Sequence, residues 1–129
     1  MDAPEIAQWA LRIALALAFI GMGVSHFVAA PARTMAAMIP PALRQKWMPS
    51  PTALVTITGL CEIAGGLGLL WEPTRFIAAM ALVVFLIAVF PANAYAAEHP
   101  KRFGSAATPF WPRYWAQLLL IALCLISAS

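Results

Sequence analysis

Charge is what this chain has least of. Five acidic and eight basic residues make up only 10% of its 129 residues, against roughly 25% in an average soluble domain. A soluble enzyme with a polar surface is excluded on that ground. Cysteine is also scarce: Cys61 and Cys124 stand alone, with no Cys-x-x-Cys. That spacing excludes a disulfide framework and a thiol–disulfide relay, and both thiols are expected to pack as small hydrophobes. The two histidines, His26 and His99, do not build a metal cluster, and His99 beside Pro100 is badly placed to face His26 across a macrocycle. No metal or haem is expected. No phosphate loop or catalytic triad is present, and no nucleic-acid partner is implied.

What remains is apolar. Hydrophobic residues are 63% of the chain and mean hydropathy is +0.83, more than a protein of this length could hide from water. Four segments meet the spanning requirement of roughly 17 to 25 mostly apolar residues: 6–28, 52–71, 75–96 and 111–126. The expected fold is all-α, an integral membrane four-helix bundle in one domain with antiparallel up-down order. The second and third segments, joined by Glu72, Pro73 and Thr74 alone, are expected to form a tight hairpin. The first segment begins with Asp2 and Glu5 and has no basic residue before Arg12, unlike the basic start of a secretory signal, so it reads as a retained helix.

Most Arg and Lys residues lie between or beside the apolar runs. Arg33, Arg44 and Lys46 fall in the first long connection, with Lys101, Arg102 and Arg113 in or beside the second. The positive-inside rule then puts both long connections in the cytoplasm and both termini outside, in a bacterial inner membrane. Arg12 and Arg113 read as side chains that snorkel to headgroups. Five prolines between 31 and 51 divide the first connection into two short runs, 32–38 and 42–48, expected as interfacial turns. Trp47, Trp71 and the cluster around Trp111 suit the headgroup layer.

Glu62 breaks the apolar pattern. A carboxylate at that depth costs roughly 2.5 to 3.5 kcal/mol on insertion scales, so it faces the bundle interior with a partner or a chemical task. Thr58, Gly59, Gly65 and Gly66 share its side of the helix, leaving space for a neighbouring helix or a ligand. At 1.5 Å per residue, His26 and Asn93 lie roughly 5 Å, Gln117 roughly 8 Å and Glu62 roughly 15 Å from the side that carries the long connections. These residues, with Arg113 and Tyr114 one turn before Gln117, are the candidate binding groups of a shared pocket, and Glu62 is the candidate catalytic acid. Pro91 cannot donate to the Ile87 carbonyl, which predicts a free acceptor and a kink near Asn93. The plainer alternatives are an interfacial histidine, amides acting as interhelical hydrogen-bond glue, and an ion pair of Glu62 with Arg12, Arg113 or His26.

The ordered pieces Gly21-x-x-x-Ser25-His26-Phe27, Met38-Ile39-Pro40-Pro41, Thr58-Gly59-x-x-Glu62-Ile63-x-Gly65-Gly66-x-Gly68-Leu69, Phe90-Pro91-Ala92-Asn93 and Arg113-x-x-x-Gln117 resemble the DoxX family over nearly the whole chain. That resemblance implies a small four-helix protein of the bacterial inner membrane, associated with quinone-linked oxidoreductases, thiol-redox partners or, more distantly, receptor assembly. Two functions stay open. In one, a lipophilic small molecule such as a quinone binds in the polar pocket of an accessory subunit, with Glu62 exchanging a proton. In the other, the chain is an assembly module whose small residues, Gly21, Ser25 and those from Gly59 to Gly68, dock other membrane subunits or a second copy. A transporter ranks third, since the chain is short and shows no inverted repeat.

Overall fold

The computed structural model describes residues 2–43, 48–103 and 109–128. The described residues are helical, with no strand among them: α1 (Ala3–Ser25), α2 (Ala29–Ala37), a short 3-10 turn (Pro41–Leu43), α3 (Pro51–Leu70), α4 (Glu72–Glu98), α5 (Pro100–Phe103) and α6 (Phe110–Ser127). Four of them, α1, α3, α4 and α6, are long and apolar enough to cross a membrane. The expected headgroup contacts of Arg44, Lys46 and Trp47 lie outside the described residues.

Local chemistry moves the helix boundaries from where hydropathy puts them. α1 starts at Ala3, because the Asp2 carboxylate caps it by accepting from the Glu5 amide at 2.9 Å, with Pro4 in the first turn. It ends at Ser25 rather than Val28, and after the extended Val28 the chain turns into α2. The expected interfacial turn is thus a nine-residue helix. Ser50 caps α3 by accepting from the Ala53 amide at 3.2 Å. α4 runs 27 residues and continues through Pro91, longer than the segment hydropathy marks by Glu72, Pro73 and Thr74 at its start and Ala97 and Glu98 at its end. Thr74 fastens the α3–α4 turn by donating to the Gly68 carbonyl at 2.9 Å.

Each spanning helix buries a stripe at helical spacing: Arg12, Leu15, Ala16, Phe19 and Gly23 on α1; Val55, Gly59, Glu62, Gly66 and Leu69 on α3; Arg75, Ala79, Leu82 and Leu86 on α4; Gln117 and Cys124 on α6. Leu15, Phe19, Leu69, Leu82 and Cys124 meet in one core. Outward residues such as Ile77, 71% exposed, face the surface that lipid would cover. A smaller cluster of Met38, Ala96 and Phe103 packs the segment after α2 against the end of α4 and α5.

Glycine sets the α1–α3 and α3–α4 spacing. A Cβ on Gly59 would stand 2.7 Å from the His26 Cβ and 3.1 Å from the Gly23 carbonyl oxygen. Gly66 lies as close to the Ala16 carbonyl, and a Cβ on Gly65 would meet Leu82 at 2.6 Å. Contacts at that range put helix backbone against helix backbone. The space that Gly59, Gly65 and Gly66 leave is therefore taken by α1 and α4. The docking surface expected along Gly59 to Gly68 is likewise used inside the chain, whereas Gly21 is exposed with nothing within 4 Å of its Cβ position. Gly59→Ala should lower stability by about 1 to 3 kcal/mol through overpacking against backbone that cannot retreat. Gly21→Ala should be neutral or stabilising by up to about 1 kcal/mol through helix propensity. Thermal unfolding of both variants in detergent, followed by circular dichroism, checks the contrast.

Candidate functional site: a buried His–Glu pair and two satellite polar clusters

Where α1 ends, His26 turns its ring onto α3. Its Nε2 lies 2.9 Å from Glu62 Oε2, with both side chains more than nine-tenths buried. Its Nδ1 lies 2.8 Å from the Val55 carbonyl oxygen and 3.1 Å from the Thr58 hydroxyl. A carbonyl can only accept, so Nδ1 carries a proton and donates it to Val55. The Thr58 hydroxyl gives its own hydrogen to the Leu54 or Val55 carbonyl, at 2.9 and 3.0 Å, and so faces the ring as an acceptor.

With a proton between Nε2 and Oε2 the pair is imidazolium with carboxylate or neutral imidazole with carboxylic acid, each of zero net charge; without it, a neutral imidazole faces a carboxylate. Neutrality is how a carboxyl group becomes tolerable at this depth. The contact is close but not aligned as a hydrogen bond, and Oε2 is buried with no other hydrogen-bond partner. Its acceptor capacity is only partly used.

Asn93, Arg113 and Gln117 lie on a different interface, between α4 and α6. The Arg113 guanidinium donates to Asn93 Oδ1 at 2.7 Å. The Gln117 amide donates to the Leu86 carbonyl. That acceptor is one residue before the Ile87 carbonyl that Pro91 is predicted to free. A cavity of about 190 Å³ lies on this interface, lined by Ile87, Phe90, Tyr114, Gln117, Leu118 and Ile121. Tyr114 stacks on Phe110, 6.1 Å between centroids, and meets Phe90 edge-on at 6.0 Å. The expected binding residues thus divide: His26 meets Glu62 across α1 and α3, while Asn93, Arg113, Tyr114 and Gln117 gather across α4 and α6.

Sequence reasoning passed over Thr58 as a partner of His26, although its position one turn before Glu62 places it on the same face. It also treated Arg12 and Arg75 as flanking charges. Both are buried, at 7% and 8% exposure. Arg12 Nε donates to the Ser127 carbonyl at 3.3 Å and Arg75 Nε to the Leu69 carbonyl at 3.0 Å. Arg12 therefore turns inward and does not snorkel to the headgroups. Cys124 is fully buried and Cys61 exposed. Among the described residues no group of His, Cys, Asp and Glu could hold a metal ion.

The family model described as "Domain of unknown function (DUF8561)" matches residues 15–128. The chain belongs to that family. No curated protein and no solved structure matches it. Membership in DUF8561 corrects the DoxX resemblance. The motifs behind that resemblance are short, and their glycines and polar residues are those that close helix packing and buried-group pairing demand of a small membrane bundle. In this DUF8561 domain the His26–Glu62 pair also holds α1 to α3. His26→Ala and Glu62→Ala should each cost about 1 to 4 kcal/mol by leaving a buried group without its partner. A double-mutant cycle measured by thermal unfolding should then give a coupling of at least about 0.5 kcal/mol, and strict additivity would show that the two groups do not interact.

Proposed function

We propose that this chain is a multi-pass protein of a bacterial inner membrane, folded as an antiparallel up-down four-helix bundle, that binds the polar head of a lipophilic small molecule of the quinone class. It would serve as a binding or accessory subunit of a membrane oxidoreductase. The antiparallel order is supported by the opposite sense of residue numbers at the α1–α3 and α3–α4 interfaces: Gly23 lies by Gly59 and Ala16 by Gly66, Gly65 by Leu82 and Gly68 by Ala78. The charges at Arg33, Lys101 and Arg102 support cytoplasmic long connections.

The observation that carries the ligand reading is the buried His26–Glu62 pair, whose Oε2 is buried without an aligned hydrogen-bond partner. An ionised Glu62 accepts a hydrogen bond, and then a proton, from a hydroquinone hydroxyl. A protonated His26 returns a proton through Glu62 to a quinone oxygen. The Val55 carbonyl and Thr58 hydroxyl hold the ring in the tautomer this exchange needs. Electrons would come from a partner subunit, since the residues of this chain supply binding and protons only. The assembly-module reading rests on a separate observation, the open and exposed Gly21 on the outer side of α1. Enlarging that residue would then abolish partner co-purification.

Mass spectrometry of small molecules retained by protein purified in mild detergent tests the proposal. Wild type should retain a quinone, and Glu62→Gln, folded to the same helical content, should retain at least about tenfold less, as expected for loss of one hydrogen bond to a charged group. Bulk lipid alone in both samples would move the assignment to the assembly module. Orientation is checked by single cysteines in a cysteine-free background. One replacing Asp2 should be labelled from outside intact spheroplasts, and one replacing Arg33 only after lysis.

A further inference from the structure

The cavity between α4 and α6 is lined by neither His26 nor Glu62. Tyr114, Gln117, Leu118 and Ile121 recur at helical spacing on α6 and meet Ile87 and Phe90, about one turn apart on α4, around a volume of about 190 Å³. All but Gln117 are aliphatic or aromatic. A cavity of about 150 Å³ with apolar walls stays dry and holds one benzene ring, so this volume suits a single ring.

Gln117 is only 8% exposed, and its carboxamide offers two N–H donors and an acceptor oxygen. One N–H goes to the Leu86 carbonyl, and among the described residues no hydrogen bond reaches the other N–H or the oxygen. The Tyr114 hydroxyl likewise has no hydrogen-bond partner among them. An otherwise apolar volume therefore carries an unspent donor and an unspent acceptor. A lipid acyl chain would fill the space but pair with neither, leaving buried polar atoms unsatisfied, which is costly.

We infer that this cavity is a binding site for one aromatic ring bearing a hydroxyl, a ligand of the phenol class, separate from the His26–Glu62 site and independent of the quinone reading. The ring lies against Phe90 and Tyr114, which already meet edge-on, and aromatic pairs of this kind add to plain burial. Its hydroxyl donates to the Gln117 oxygen and keeps lone pairs for the second N–H. A quinone carries acceptors only and gives that oxygen nothing, so the site selects the hydroxylated ring. Ile87 and Leu118 are exposed and carry the cavity to the outer face of the bundle, where an apolar ring arrives from the membrane.

Fluorine NMR of the full chain in detergent, titrated with 4-fluorophenol and with fluorobenzene, tests the site, with empty micelles as the reference for partition into detergent. Wild type should bind 4-fluorophenol saturably and at least about fivefold more tightly than fluorobenzene, as expected when a buried polar group gains its partner. Gln117→Met, of similar length, should lose that preference. Ile121→Phe fills the cavity with a larger apolar side chain, leaves Gln117 in place and should lose the saturable binding. If Gln117→Met does not fold, the wild-type preference and the Ile121→Phe result decide. Equal affinity for the two probes or no saturable binding in wild type would overturn the assignment, as would unchanged 4-fluorophenol binding by helical Ile121→Phe or a preference kept by helical Gln117→Met.

Discussion

No water reaches the hydrocarbon layer to satisfy a polar group, so every polar side chain on a spanning helix must find its partner within the protein. That constraint accounts for most of the connections between helices. Glu62 takes His26, Arg113 takes Asn93, and Gln117, Arg12 and Arg75 each take a backbone carbonyl. Three of these five contacts use the main chain as acceptor, which ties a side chain on one element to the backbone of another. The polar residues therefore act as fasteners between helices, and the function proposed for any of them has to be compatible with that work.

The fasteners close only because the helices come near enough. Hydrophobic burial does little to drive helices together in lipid, where tails are as apolar as leucine, and small residues that allow close van der Waals contact take its place. Here α3 is the central element, with Gly59 and Gly66 turned to α1 and Gly65 turned to α4. His26 reaches Glu62 because Gly59 lets the His26 backbone approach, so glycine packing and the polar pair form one device. α6 is joined differently, through Gln117, Cys124 and larger apolar side chains, and the apolar cavity lies on its interface with α4.

The two ends of the helix bundle differ in chemistry. Near the end of α1, a buried carboxyl faces a buried imidazole. Near its start, two cations share an aromatic ring beside a larger cavity with acidic residues at its mouth. Both use residues on α1 and both lie on the glycine-packed α1–α3–α4 unit.

The four spans and the unusual status of Glu62 were legible from the sequence alone, because hydropathy over some twenty residues and one acid amid apolar neighbours are local facts. Helix limits were less so, since caps at Asp2 and Ser50 and continuation through Pro91 outweigh hydropathy. Family identity was misread, because short glycine and polar motifs report the packing needs of small helical bundles and do not specify a family. Which partner each polar group takes was decided only by tertiary structure. Glu62 had three basic candidates, and the rotation of α1 against α3 selects His26. Arg12 and Arg75 are 63 positions apart in the chain, and only the folding of the α3–α4 turn against α1 brings both to the Trp9 ring. Pairings of this kind depend on helix rotation and distance, which no single segment encodes.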